Sequence, residues 1–314
     1  MPETRVGIRQ GERRTERGLR MEIITLRYGK TEAKVRTLGA QIISFHGEDG
    51  REVIWQADPE VWPQHAPVLF PVCGSVRNGQ IRIAGEVYPM TKHGFTREPE
   101  FAVCRVGEDM VDLVLTASDQ TRNMYPFEFA FHVIYQLFEN GYTTTFLIEN
   151  RSEKAMPCCV GGHPGYIVPM EQGAKYEDYQ IVFAKEEEGI NSLAPGGYLI
   201  DGTEKLTELQ NGRILPLNHA LFDERDALIF AGLNSRSVEL VHRKSGHGLR
   251  FDFPKIEVLA VWSMPKKNAD YVCLEPWHGM PGRVQDSDNF EEKPYVTLLD
   301  PGKVYTTWFT TTLI

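Results

Sequence analysis

Three titratable residues stand in stretches whose backbone is tightly constrained. They are His93 in Lys92-His93-Gly94-Phe95, His163 in Gly161-Gly162-His163-Pro164-Gly165-Tyr166, and Glu275 in Cys273-Leu274-Glu275-Pro276-Trp277. Glycine and proline beside a titratable side chain fix where it points, and proton transfer needs that kind of placement. Imidazole and carboxylate together serve metal ligation or acid/base work. The helical His-Glu-x-x-His spacing of a catalytic metal site is absent, and the five cysteines (Cys73, Cys104, Cys158, Cys159, Cys273) include no Cys-x-x-Cys pair. Acid/base chemistry without a metal is therefore the reading. No Gly-x-Ser-x-Gly elbow, Gly-x-Gly-x-x-Gly turn or phosphate-cradling loop competes with it. Glu275 lies between Leu274, Pro276 and Trp277, and a carboxylate in apolar company is either paired or shifted in pKa. The other histidines (His46, His65, His132, His219, His242, His247) read as surface or hydrogen-bonded core residues.

The elements that must hold these groups read as strands. From Met21 onward, short apolar segments alternate with turn signals and helical periodicity is scarce, which predicts an all-β chain. Phe131–Phe138 and Tyr142–Ile148 flank Asn140-Gly141, a pair suited to a tight hairpin turn. Similar hairpins are expected at Gln41–Trp55 around Glu48-Asp49-Gly50 and at Ile81–Tyr88 around Ala84-Gly85. A fourth pairs Ser237–His242 with Leu249–Phe253. Lys185–Gly212, with three consecutive glutamates and Ala194-Pro195-Gly196-Gly197, reads as long surface loops inside the domain. Residues 1–20, with six arginines and hardly any large apolar side chain, read as a flexible tail, leaving 21–314 as a single domain.

Composition narrows the partners. A formal charge of −9 and a pI near 5.6 disfavour nucleic acid and anionic lipid. No apolar run reaches the roughly 20 residues that span a bilayer. The odd cysteine count and the lack of a secretory signal point to the cytoplasm.

In order along the chain, six segments resemble the aldose 1-epimerase (galactose mutarotase) superfamily, nearest its LacX-like branch. They are Leu69-Phe70-Pro71-Val72-Cys73-Gly74, His93-Gly94-Phe95-Thr96-Arg97, Tyr125-Pro126-Phe127-Glu128-Phe129, Gly161-Gly162-His163-Pro164, Val261-Trp262-Ser263 and Cys273-Leu274-Glu275-Pro276-Trp277. The resemblance runs from about Met21 to the carboxyl terminus. It implies a galactose mutarotase-like β-supersandwich with one groove for a small-molecule sugar and no cofactor. It also implies that Glu275 is the base at the anomeric hydroxyl, His163 the acid at the ring oxygen, and His93 a hydrogen-bonding partner near the reacting centre. Trp262 or Trp277 would offer an apolar platform for a sugar face, beside a core role for either. The family's arginine after the Phe-Pro segment is missing from Gly74-Ser75-Val76-Arg77-Asn78, so Arg77 and Arg97 are the candidate substitutes. Asp226 is the candidate acidic sugar-binding residue, beside a structural role. Three functions fit: an aldose 1-epimerase acting on a free hexose or related aldose, a hexose-6-phosphate 1-epimerase using Lys92, Arg97 and Arg77 as a cationic pocket, or a non-catalytic carbohydrate-binding module.

Overall fold

Alternating sequence becomes strand wherever a turn brings a neighbour into pairing distance. In the computed structural model, which describes residues 21–314, Asn140 adopts φ 56° and closes the hairpin of Phe129–Phe138 with Gly141–Asn150. The antiparallel register runs from Gly141↔Phe138 to Asn150↔Phe129. Ala84 and Gly85, at φ 50° and 87°, turn Gln80–Ile83 into Glu86–Pro89, and Ser237–His242 pairs with Gly248–Asp252 as its alternation predicts. The expected Gln41–Trp55 hairpin is reduced to one isolated bridge, His46↔Glu52. Its ladder is replaced by the Glu52 carboxylate, whose Oε1 accepts the N–H groups of Phe45, Val53 and Ile54 at 2.9, 3.0 and 2.9 Å. The flexible-tail expectation for residues 1–20 lies outside the described residues.

Two sheets carry the architecture, and the chain is all-β as expected. The larger has nine strands, all antiparallel, in the order Ile214–Pro216, Tyr179–Phe183, Ser237–His242, Gly248–Asp252, Val304–Leu313, Gly141–Asn150, Phe129–Phe138, Met110–Thr116, Ala102–Val106. The second runs Ala227–Ala231, Val258–Trp262, Tyr271–His278, Val160–Gly162, Val68–Leu69, with Gly165–Ile167 also paired to Tyr271–His278. Side chains from both meet between them: the Phe70 ring stacks on Phe131 at 4.7 Å, and the Tyr166 hydroxyl lies 2.7 Å from Thr311 Oγ1. This is sheet-on-sheet packing, where inner faces interdigitate and outer faces meet solvent.

Strand Tyr271–His278 is buried over nearly its whole length. Because a strand sends successive side chains to opposite sides, Val272 and Leu274 enter the main core, while Cys273 and Glu275 face the other way. That second side carries the cleft. The region 185–212 does more than loop over the surface. It forms a short hairpin of Ile190–Ser192 with Thr203–Lys205, and the 3-10 turn Pro195–Gly197 between them reaches the cleft wall. Among the described residues, no helix is long and apolar enough to cross a membrane.

Candidate active site

The cleft, of about 220 Å³, is lined by both histidines and the glutamate. His163 gets there through a break in the sheet. Val160–Gly162 pairs with Trp277 and His278, Gly165–Ile167 pairs with Tyr271 to Cys273, and His163-Pro164 bridge the gap opposite Glu275. Proline has no N–H to continue the ladder, and Leu274 N–H instead reaches Pro164 O at 3.3 Å. The interruption turns His163 toward the carboxylate, with Nε2 3.1 Å from Glu275 Oε2. Close packing fixes glycine at 161, where a Cβ would stand 2.7 Å from Trp277 Cδ1 and 2.9 Å from Pro276 O.

His93 is held by its backbone. It adopts φ 68°, followed by Gly94 at 78°, two left-handed residues in succession. Its N–H donates to Gly74 O at 2.9 Å, and its Nδ1 accepts the Gly74 N–H at 3.1 Å. An Nδ1 that accepts leaves the ring proton on Nε2, so His93 is a neutral donor. Burial, then the neighbouring His163, Lys92 and Arg97, hold it well below the usual histidine range.

Burial acts on the other two groups in opposite senses. It pushes the Glu275 carboxyl well above its ordinary range, against the pull of Lys92 and with a further push from Asp226. It pushes His163 down to about 3, assisted by Lys92 and Arg97. The His163–Glu275 contact is close but poorly aligned: Glu275 Oε2, His163 Nδ1 and the Trp277 indole N–H are all buried without a hydrogen bond of good geometry. Buried polar atoms left unsatisfied are expensive. All three residues line the cleft. Cys273 shares the face of Glu275, and with His163 the three offer ligand atoms within 4.8 Å of one another.

Of the remaining sequence-derived candidates, the structure brings Arg97, Trp262 and Asp226 to the cleft, and Lys92 with them. Trp262 stands edge-on to the His163 ring at 5.5 Å, and Trp277 lies tilted against His93 at 5.7 Å. Lys92 Nζ and Asp226 Oδ2 lie 2.5 and 2.7 Å from where a Cβ on Gly197 would stand, so that glycine makes room for both.

Arg77 is the exception and corrects the expectation. The turn Arg77–Gly79 leads the chain away, the guanidinium hydrogen-bonds the Val284 carbonyl, and the side chain lines a separate cavity of about 110 Å³ with Asp286 and Lys293. Nearer the cleft, Ser75 Oγ donates to Gly197 O at 3.0 Å. Sequence reasoning also missed Trp62, whose ring stacks on His163 at 5.0 Å and on Tyr271 at 5.4 Å, with Trp55 on the far side of Tyr271 at 4.5 Å. The available signal was two tryptophans seven residues apart in the proline-bounded run Trp55-Gln56-Ala57-Asp58-Pro59-Glu60-Val61-Trp62-Pro63.

Comparison with known proteins places the chain among relatives of one family and fold. A family profile described as aldose 1-epimerase matches residues 22–312. Protein LacX of Lactococcus lactis subsp. lactis is 37% identical over 273 residues, spanning 85% of this chain and 91% of that protein. Among solved structures, a galactose mutarotase related enzyme from Lactobacillus acidophilus superposes with TM-score 0.86 at 29% identity, covering 93% of this chain and 97% of that one. A galactose mutarotase-like protein from Lactobacillus casei gives TM-score 0.86 at 26% identity, covering 93% and 100%.

Proposed function

The chain belongs to the aldose 1-epimerase family, and from that premise we propose that it interconverts the α and β anomers of a free aldose by acid/base ring opening. The observation that carries the reading is the His163–Glu275 pair, 3.1 Å apart at the floor of a cleft that also presents a neutral His93. Opening a hemiacetal needs a proton taken from O1 and one delivered to O5. Glu275 takes the first, His163 delivers the second, and His93 Nε2–H steadies the oxygen at which charge develops. Rotation about C1–C2 and the reverse transfers close the other anomer. Each positioned acid or base contributes about 10²- to 10⁴-fold. The aromatic wall of Trp62, Trp262 and Trp277 suits the apolar face of a sugar ring.

A second reading rests on Lys92 and Arg97, two cations lining the same cleft, which would suit a sugar phosphate. Anomeric exchange measured by NMR with glucose, galactose and glucose 6-phosphate separates the two. Acceleration with the free sugars supports the first, and acceleration confined to the phosphate supports the second. Glu275→Gln is expected to lower the rate by about 10²-fold or more with the fold retained. Sugar binding without acceleration over buffer would make the chain a binding module instead.

A further inference from the structure

On the outer face of the nine-stranded sheet, and so on a different sheet from the strands that bear the cleft, Cys104, Asp112 and His132 each offer a ligand atom, all within 4.8 Å of one another. They stand on three adjacent strands: Ala102–Val106 at the sheet edge, Met110–Thr116 and Phe129–Phe138. A bulge brings the cysteine in. The register passes from Val103↔Leu113 to Arg105↔Asp112, leaving Cys104 as the extra residue. Extra residues of this kind re-aim a side chain, and here the thiol joins the side of Asp112. His132 pairs with Val114, two residues along from Asp112, so imidazole and carboxylate meet diagonally, with Nδ1 2.8 Å from Asp112 Oδ1.

The imidazole has a backing group. Its other nitrogen, Nε2, faces Glu149 Oε1 at 3.8 Å from the next strand, Gly141–Asn150. A histidine that binds a metal characteristically directs its remaining N–H at a carboxylate, which fixes the tautomer and raises the basicity of the ligating nitrogen. Thiol, imidazole and carboxylate are the ligand types of zinc, at bond lengths of about 2.0–2.3 Å that put neighbouring ligand atoms roughly 3.5 Å apart. The exposed Cys104 can rotate by the small amount that closing the set requires. We propose that Cys104, Asp112 and His132 form a binding site for a zinc-type divalent cation, with Glu149 behind the imidazole and a fourth position open to water. On binding, the thiol proton leaves to solvent, the imidazole proton rests on Nε2 facing Glu149, and the cation clamps the edge strand to its two neighbours.

Chelator-treated full-length protein titrated with Zn²⁺ by calorimetry, and with Co²⁺ followed by its thiolate charge-transfer absorption, tests this without reference to catalysis. One ion per chain and a cobalt–thiolate band are expected. In Cys104→Ser the band disappears and zinc affinity falls at least about tenfold, and His132→Gln weakens zinc comparably. Cys273→Ser, in the cleft, leaves both signals in place. Zinc a hundredfold above its Kd should raise Tm by about 5 °C in wild type and not in Cys104→Ser. The absence of a cobalt–thiolate band, or a band that survives Cys104→Ser and is lost in Cys273→Ser, overturns the assignment. Far-UV circular dichroism of the metal-free variants establishes that each is folded.

Discussion

His163 and Glu275, 3.1 Å apart, titrate as a pair. Burial raises the carboxyl and lowers the imidazole, and either arrangement, a carboxylic acid beside neutral imidazole or carboxylate beside imidazolium, holds the same single proton. A second proton enters only near the depressed His163 value of about 3, whereas an unperturbed histidine would take one up near pH 6.5. The kcat/KM for anomerisation should therefore hold from pH 7 down to about pH 4.5. Polarimetry across that range is the check, and an acid limb centred at about 6.5 would mean that the pair is not buried as described. The cations separate by position in the same way. Arg97→Ala is expected to raise KM about tenfold, the size of one charge-assisted hydrogen bond, while Arg77→Ala, whose side chain lies in the other cavity, should leave kcat/KM within about twofold. Equal losses in steady-state kinetics for the two variants would refute that division.

Turns decide where these residues end up, and identical residue types at turns carry different costs. Gly85 adopts φ 87° with nothing within 4 Å of a notional Cβ, so Gly85→Ala meets only left-handed strain, about 1 kcal/mol. Gly94, at φ 78°, would drive its Cβ into the Phe70 carbonyl and to 2.8 Å from Pro71 N. Gly94→Ala should then cost about 3 kcal/mol or more in urea unfolding and should displace His93 enough to abolish epimerisation; equal costs for the two would remove the crowding argument. The same turns explain what the sequence made legible. Asn140-Gly141 and Ala84-Gly85 announce their hairpins locally, and Gly161-Gly162-His163-Pro164 and His93-Gly94 mark cleft-lining positions because the constraint lies in adjacent residues. Trp62 stacks on His163 from a hundred residues away, and Cys104 meets His132 through a bulge. Neither contact has a local signature, since strand order and register decide both. Arg77 falls outside the cleft for a related reason: it follows Gly74 closely along the chain, but the 3-10 turn at Arg77–Gly79 leads its side chain to the other cavity.

Across the molecule, the cleft and the core are two sides of the same strands. Val272 and Leu274 pack between the sheets while Cys273 and Glu275, their alternating neighbours, face the aromatic wall of Trp62, Tyr271 and Trp262. Among the described residues the larger buried cluster extends from Leu26 to Phe309 and draws on both sheets, and a smaller one holds Trp62, Ala269, Tyr271 and Cys273. Strand Tyr271–His278 gives side chains to both clusters, Val272 and Leu274 to the larger and Tyr271 and Cys273 to the smaller, so opening the cleft side requires that strand to leave the sandwich. Residues 21–314 should unfold as one cooperative unit. Four of the five tryptophans (Trp55, Trp62, Trp262, Trp277) report the cleft region, whereas far-UV circular dichroism reports all the strands. Urea transitions followed by fluorescence and by circular dichroism should coincide in midpoint and slope. A fluorescence transition at lower urea would show the aromatic wall to be a separately stable layer, and the active-site geometry could then no longer be attributed to the core beneath it.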